Sequence, residues 1–271
     1  PAYRLSNSEK ELYNQVTIYV KEQFNKALSS ENRRHIGFAL TILQRRLASS
    51  SYALWKSVQR RKDRLKTILK DFEENKKKEK KLPQRVFDFD DFDDMDDEER
   101  EDQERIWETL SIAENKEELE REIQTLAVLE NQAKDVIDSE VEVKLSKLKE
   151  TMIELEKKSK NKKILIFTES RDTLEYLEKR IRKWGYTVNT IHGGMGQQER
   201  IMAEKVFKQE TQVLVATEAA GEGINLQFCH LMINYDIPWN PNRLEQRMGR
   251  IHRYGQKFEV HVCNLVAADT V

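Results

Sequence analysis

Apolar positions recur at helical steps through the first part of the chain and later change to short unbroken runs. Ser8 and Glu11 have capping-box spacing, and Leu12, Val16, Tyr19, Val20, Phe24 and Leu28 follow at helical intervals, which predicts a first helix. A second is expected after Asn32, with Ile36, Leu40, Leu43 and Leu47 as its stripe. Past the Ser49-Ser50-Ser51 break, Tyr52, Leu54, Trp55, Val58, Leu65, Ile68, Leu69 and Phe72 trace a third. Helices resume from Trp107, with Leu119, Ile123, Leu126, Leu129 and Ala133 on one stripe and Val141, Leu145, Leu148, Met152 and Leu155 on another. Such stripes read as core or coiled-coil seams rather than ligand sites.

At Lys163 the period changes. Lys163 to Thr168 is a continuously apolar run of the kind that fills a strand buried on both faces. Leu174, Leu177 and Ile181 then mark a helix ending at Trp184-Gly185, and Gln197 to Lys208 marks another. Val188 to His192, Val213 to Thr217, Leu231 to Tyr235 and Val260 to Val266 complete five expected strands. Strands alternating with helices predict an α/β fold, a parallel sheet with flanking helices, preceded by a mostly α-helical region. In such sheets ligands bind beyond the C-terminal strand ends, where loops and helix N-termini present backbone amides to anions. The polar and glycine-rich segments fall there: Thr168 to Ser170, His192 to Gly196, Thr217 to Asn225 and Asp236 to Trp239. Each alone reads as turn chemistry; their shared edge makes them a candidate site.

Asn242 to Gln256, read as one helix, places Gln246, Arg250 and Arg253 on one face and Leu244, Met248 and Ile251 on nearly the opposite one. Asn242 is placed to cap it and Gly255 to end it. On periodicity alone this is an amphipathic helix with a solvated basic face.

Charge divides the chain further. Of 271 residues 35% are charged and 38% hydrophobic, a balance that points to long exposed helices beside a compact part. Residues 1–86 carry 21 Lys and Arg against 9 Asp and Glu, residues 87–159 carry 10 against 26, and residues 160–271 carry 16 against 13. The first block suits a polyanion, and Arg60, Arg61, Lys62, Arg64 and Lys66 form its candidate contact with nucleic-acid phosphate. The segment from Phe87 to Glu104 is too acidic and too poor in apolar residues to fold alone, so 87–105 reads as an extended or disordered linker able to offer its Phe residues to a protein partner. The expected organisation is a basic helical region at 1–86, the linker at 87–105, long helices at 106–159 and the α/β domain at 160–271. Cys229 and Cys263 suggest neither a disulfide framework nor a metal site, and no metal is assigned. No apolar run approaches a membrane span and the N-terminus has no signal-peptide pattern, so a soluble, cytoplasmic protein is expected. Beginning at Pro1 and ending inside an apparent element at Val271, the chain reads as a piece of something larger.

These segments, in this order, resemble the motifs of the second RecA-like lobe of superfamily-two helicase-type ATPases, and more narrowly the Swi/Snf-type translocases of the bacterial and archaeal branch. Lys163 to Ser170 (KILIFTES) resembles motif IV, and Gln197 with Arg200 resembles the Gln-x-x-Arg motif after it. Val213 to Gln227 (VLVATEAAGEGINLQ) resembles motif V, and Gln246 to Arg253 (QRMGRIHR) resembles motif VI. Leu43 to Ser50 (LQRRLASS) is similar to the helical protrusions that family inserts between its lobes. The resemblance implies ATP with Mg²⁺ as cofactor, Arg250 and Arg253 as arginine fingers and Gln246 orienting the γ-phosphate side. It further implies Gly221, Glu222, Gly223 and Asn225 facing the nucleotide, and Thr168, Ser170, Gly193, Gln197, Arg200 and Thr217 facing a nucleic-acid backbone. Double-stranded DNA is the expected track. Glu218 and Glu222 depart from the commonest eukaryotic pattern. No glycine in the chain is followed by lysine, and the Asp97-Glu98-Glu99 run lies in the acidic segment. Mg-ATP would therefore be held mainly by an N-terminal RecA-like lobe of the same parent chain, and this piece alone is expected to be inactive.

Overall fold

The computed structural model of the chain describes residues 1–27, 42–74, 102, 104, 113, 115–139, 142–158, 163–218, 224–238, 240–252 and 254–268. Outside them lie most of the expected second helix, the acidic segment apart from residues 102 and 104, and Trp107, Gly221, Glu222, Gly223, Trp239 and Arg253. The chain forms two units, one of Pro1–Asn7, Asp96–Glu98 and Glu140–Val271, the other of Ser8–Met95 and Glu99–Ser139.

The helical unit is built on α1 (Asn7–Ala27), a helical stretch at 42–49, α2 (Ser51–Glu74) and α3 (Lys116–Asp138). Asn115 caps α3 by accepting from the Glu118 amide, and Glu117 and Glu118 place negative charge in the first turn, where the helix dipole favours it. The expected stripes meet in one core that gathers Leu12, Val16 and Tyr19 of α1, Leu54, Val58 and Leu65 of α2, and Leu119, Leu126 and Leu129 of α3. Each such side chain contributes about 1.5–3 kcal/mol on burial.

The basic cluster of α2 differs from expectation. Arg61 is 2% exposed, because it shares the helical phase of Leu54, Val58 and Leu65 and so points into the core. Its guanidinium is satisfied there: Nη2 donates to Glu122 Oε1 at 2.8 Å, Nε donates to the Tyr19 hydroxyl oxygen at 2.9 Å, and Tyr19 donates to Glu122 Oε1 at 2.8 Å. Lys62 is paired with Glu130 of α3. Two of the five expected phosphate contacts are therefore spent within the unit, while Arg64 and Lys66 are exposed.

The α/β unit contains α4 (Val143–Lys158), α5 (Arg171–Lys183), α6 (Gln197–Gln209) and α7 (Pro241–Ile251) around five parallel strands, β2 (Ile164–Phe167), β3 (Val188–Ile191), β4 (Val213–Ala216), β5 (Leu231–Asn234) and β6 (His261–Asn264), in the order β3-β4-β2-β5-β6. The order accounts for the composition of the strands. β2, β4 and β5 lie inside the sheet with helices on both sides and are buried at every residue, whereas β3 and β6 are edges and only partly buried. Alternate residues feed opposite faces, so Leu165, Phe167, Leu214, Ala216 and Met232 join one core with Phe207 of α6 and Ile251 of α7. A second, two-stranded sheet was not expected: β1 (Ala2–Tyr3) pairs in parallel with β7 (Val266–Ala267).

Candidate functional site

The strand register aligns the candidate segments. Ile191, Ala216, Phe167, Asn234 and Asn264 are partners in one row across the sheet, so His192, Thr217, Thr168 and Tyr235 are each the first residue beyond it on one edge. β2 and β5 are neighbours whose onward connections run to opposite edges of the sheet, the situation in which a crevice opens at the strand ends. Asp236 bridges that place: its Oδ2 accepts from Thr168 Oγ1 and its Oδ1 from the Glu169 amide, both at 2.7 Å.

Thr168 and Ser170 are consequently buried, at 0% and 3% exposure. Ser170 is the N-cap of α5, with its hydroxyl oxygen accepting from the Thr173 amide, so both side chains fix the loop that leads into the helix. Arg200 is turned in the same way: Nε donates to the Met195 carbonyl at 2.8 Å and Nη2 to the Gly193 carbonyl at 2.9 Å. The guanidinium therefore shapes the Gly193 to Gly196 loop, whose Gly196 amide donates to Glu199 as α6 begins. Gln197 is exposed at the start of α6. His192, beside Arg171, has its pKa lowered by burial first and by that guanidinium second. Thr217 is nearly buried and its amide donates to the Ile191 carbonyl, whereas Asn225 is exposed and accepts at Oδ1 from the Gln227 amide.

α7 is shorter than the sequence pattern suggests, and it starts earlier. Asn240, not Asn242, is its cap, Pro241 occupies the first turn, and the helix ends at Ile251. Gly255 follows in the turn with φ +97°. Gln246 is exposed and Arg250 half-buried. The inward face also departs from expectation: Ile251 is fully buried and Met248 is 38% exposed, while Arg247 is buried to 1%. Arg247 Nη1 donates to Asn234 Oδ1 at 3.1 Å and to the Asp236 carbonyl at 2.8 Å, Nε donates to Glu218 Oε1 at 2.7 Å, and the guanidinium lies 5.2 Å from the centre of the Phe167 ring. One side chain thus binds the residues at or just beyond the ends of β2, β4 and β5 to α7. A buried charge is tolerated only when it is paired and hydrogen-bonded, as Arg247 is through Nε and Nη1, with Nη2 in the ion pair with Glu218. Sequence reasoning passed over Arg247, although a lone arginine in phase with Leu244 and Ile251 is the signal of a cation inside an apolar stripe.

Behind the β5 end, Lys144 of α4 is buried with its ammonium 4.2 Å from the centre of the Tyr235 ring. Burial lowers its pKa to about 8, against the opposing pull of Asp236, Glu142 and Glu169. Tyr176 donates to Glu142 at 2.8 Å in the same region. Among the described residues no group of three or more His, Cys, Asp or Glu could hold a metal ion, and no helix is long and apolar enough to cross a membrane.

Comparison with known proteins agrees with this arrangement. Residues 143–255 match the helicase conserved C-terminal domain. The chain is 50% identical over 109 residues to the uncharacterized ATP-dependent helicase YqhH of Bacillus subtilis, covering 40% of this chain and 20% of that protein. It is 37% identical over 115 residues to the RNA polymerase-associated protein RapA of Vibrio cholerae, covering 41% of this chain and 12% of the relative. The chain thus spans a fifth or less of these two relatives. The crystal structure of the C-terminal part of the Fun30 ATPase domain superposes over 100% of this chain and 84% of its own, with a TM-score of 0.58 at 19% identity, a likeness of fold. Residues 143–255 thus carry a match to the helicase conserved C-terminal domain, and the α/β unit that contains them has a RecA-like fold, consistent with a C-terminal helicase lobe.

Proposed function

We propose that this lobe is the C-terminal motor half of a Swi/Snf-type ATPase that is stimulated by nucleic acid and moves along double-stranded DNA. The observation that carries the reading is the seating of α7: Arg247 ties the helix to the strand ends, which leaves Gln246 exposed and Arg250 half-buried on another side of the same helix. A guanidinium held on an anchored helix suits the stabilisation of charge on a transferring phosphoryl group, a role worth roughly 10³–10⁵ in rate in other enzymes. Arg250, with Arg253, supplies that charge across a closing cleft. Gln246, Asn225 and the Gly221-Glu222-Gly223 segment line the nucleotide side. ATP and Mg²⁺ are held mainly by a P-loop lobe of the parent chain, and the 271-residue chain alone does not hydrolyse ATP.

Nucleic acid runs along the edge formed by the segments after β2, β3 and β4. Gly193, Gln197 and Thr217 contact its backbone, while Thr168, Ser170 and Arg200 act through the loops they fix. Such contacts are independent of sequence and weaken as salt rises. The YqhH name carries the word helicase, which makes strand separation the second reading. The acidic segment offers a protein partner under either one.

The test is to join the chain to its P-loop lobe and measure ATPase with duplex DNA, single-stranded DNA and RNA, for wild type and Arg250→Ala. Stimulation greatest with duplex, lost in Arg250→Ala, is expected. A rate that Arg250→Ala leaves unchanged, or that no nucleic acid stimulates, would overturn the motor reading. Displacement of a labelled strand would favour the helicase instead.

A further inference from the structure

Gln227, in the segment after β4, and Gln256, in the turn after α7, each reach the backbone of the other's segment. Gln256 Nε2 donates to the carbonyls of Gln227 at 2.9 Å, Cys229 at 3.2 Å and Ile251 at 2.9 Å, and its Oε1 accepts from the Phe258 amide at 3.2 Å. Gln227 Nε2 donates in return to the Tyr254 carbonyl at 3.4 Å. A primary amide is suited to this place, since it offers two donors and an acceptor without charge, and with three carbonyls in reach its hydrogens are shared. Cys229 and Ile251 are fully buried, so two of the three carbonyls belong to residues seated in the core. Arg247 already joins α7 to Glu218 on the near side of the 219–223 stretch. Gln256 joins the end of α7 to Gln227 on the far side. The segment after β4 and the end of α7 are therefore bound to each other at two points, one before and one after the residues that the proposed reading turns toward the nucleotide.

We propose that Gln256, assisted by Gln227, is a positioning residue of the ATPase reaction: it clasps the C-terminal end of α7 to the segment after β4. A shift of that segment on binding nucleic acid is thereby passed to the turn that follows Arg250. The inference rests on the motor reading and adds to it a residue that touches neither nucleotide nor nucleic acid. It explains why the amide is spread over both segments instead of capping one of them.

The experiment compares Gln256→Ala, Gln256→Glu and Gln227→Ala in the complete polypeptide that contains the P-loop lobe. Glutamate keeps the acceptor, loses both donors and sets a charge against carbonyl oxygens, so it is not expected to rescue. Both Gln256 variants are expected to lower the kcat stimulated by nucleic acid roughly ten- to a hundredfold, the scale of a misplaced reacting group, with KM for ATP within about threefold of wild type. Gln227→Ala, which removes one longer bond, should lose less. Amide hydrogen exchange of the 271-residue Gln256→Ala chain should quicken at residues 226–229 and 252–258 and stay unchanged in β2 and β4. Wild-type activity in Gln256→Ala overturns the proposal. So does faster exchange throughout the sheet, which would make Gln256 a stability residue only. Arg250→Ala run in parallel separates the two ideas. If it leaves ATPase intact, the motor reading falls whatever Gln256 does; if it abolishes ATPase while Gln256→Ala does not weaken it, only the clasp falls.

Discussion

Arg247 donates through Nε to Glu218 Oε1 at 2.7 Å from a position that is 1% exposed, and this pair makes α7 and the end of β4 one structural element. Arg247→Ala would strand Glu218, the Asn234 side-chain oxygen and the Asp236 carbonyl. Removal of one partner from a buried pair costs about 3–5 kcal/mol. Arg247→Lys should recover less than half of this, because one ammonium cannot reproduce a planar fork directed at three acceptors. Urea unfolding of the three chains measures it, and an Arg247→Ala chain as stable as wild type would refute this account of the anchor.

Asp236 holds two donors at the mouth between β2 and β5. Asp236→Asn turns an amide NH₂ against at least one of them, and the unsatisfied buried donor is expected to cost about 1–3 kcal/mol. Thr168→Val should lower stability by about 1 kcal/mol. Because the Thr168 hydroxyl is given to Asp236, its removal should leave the dependence of nucleic-acid affinity on salt unaltered. A fall in the slope of log K against log salt by about one would instead place a phosphate at Thr168.

The Tyr19, Arg61 and Glu122 cluster makes a parallel prediction for the helical unit. Glu122→Ala deprives a buried guanidinium of its carboxylate and should cost about 3–5 kcal/mol, whereas joint replacement by Tyr19→Phe, Arg61→Met and Glu122→Leu should be close to neutral. Denaturant midpoints of the two chains decide between a pairing requirement and a simple size requirement.

Lys144 gives a pH dependence whose sign follows from burial. Its ordinary pKa is 10.5, and in the fold it is lowered to about 8. Between those values the unfolded chain holds a proton that the folded chain has released, so unfolding becomes harder as pH rises through this window. Wild type should gain stability from about pH 8 toward pH 10 relative to Lys144→Met. Equal slopes in the two chains would show that the ammonium is solvated.

Much of the α/β unit was legible because buried parallel strands have no polar face to disguise them: ILIF, VLVA and LMIN became the three interior strands. The strand-end segments were legible for a related reason, since polar and glycine residues just beyond such runs must lie on the edge where chains turn. What stayed hidden was which polar side chains turn inward. Arg61 and Arg247 both sit in phase with apolar neighbours, and a periodicity that counts arginine as surface cannot register a cation paired inside the core. Thr168 and Ser170 follow β2 directly and Arg200 lies in the first turn of α6, yet their partners, Asp236, Thr173 and the Gly193 and Met195 carbonyls, are set by tertiary geometry. The pairing of β1 with β7 was invisible for want of length, two residues carrying no period at all.

That small sheet has a consequence for the order in which the molecule can be made. Ala2 and Tyr3 are synthesised well before their partners Val266 and Ala267. At roughly 5–20 residues per second, the interval is on the order of tens of seconds. The helical unit between them is complete long before. β1 is thus paired only after the helical unit and all five strands of the parallel sheet have been made.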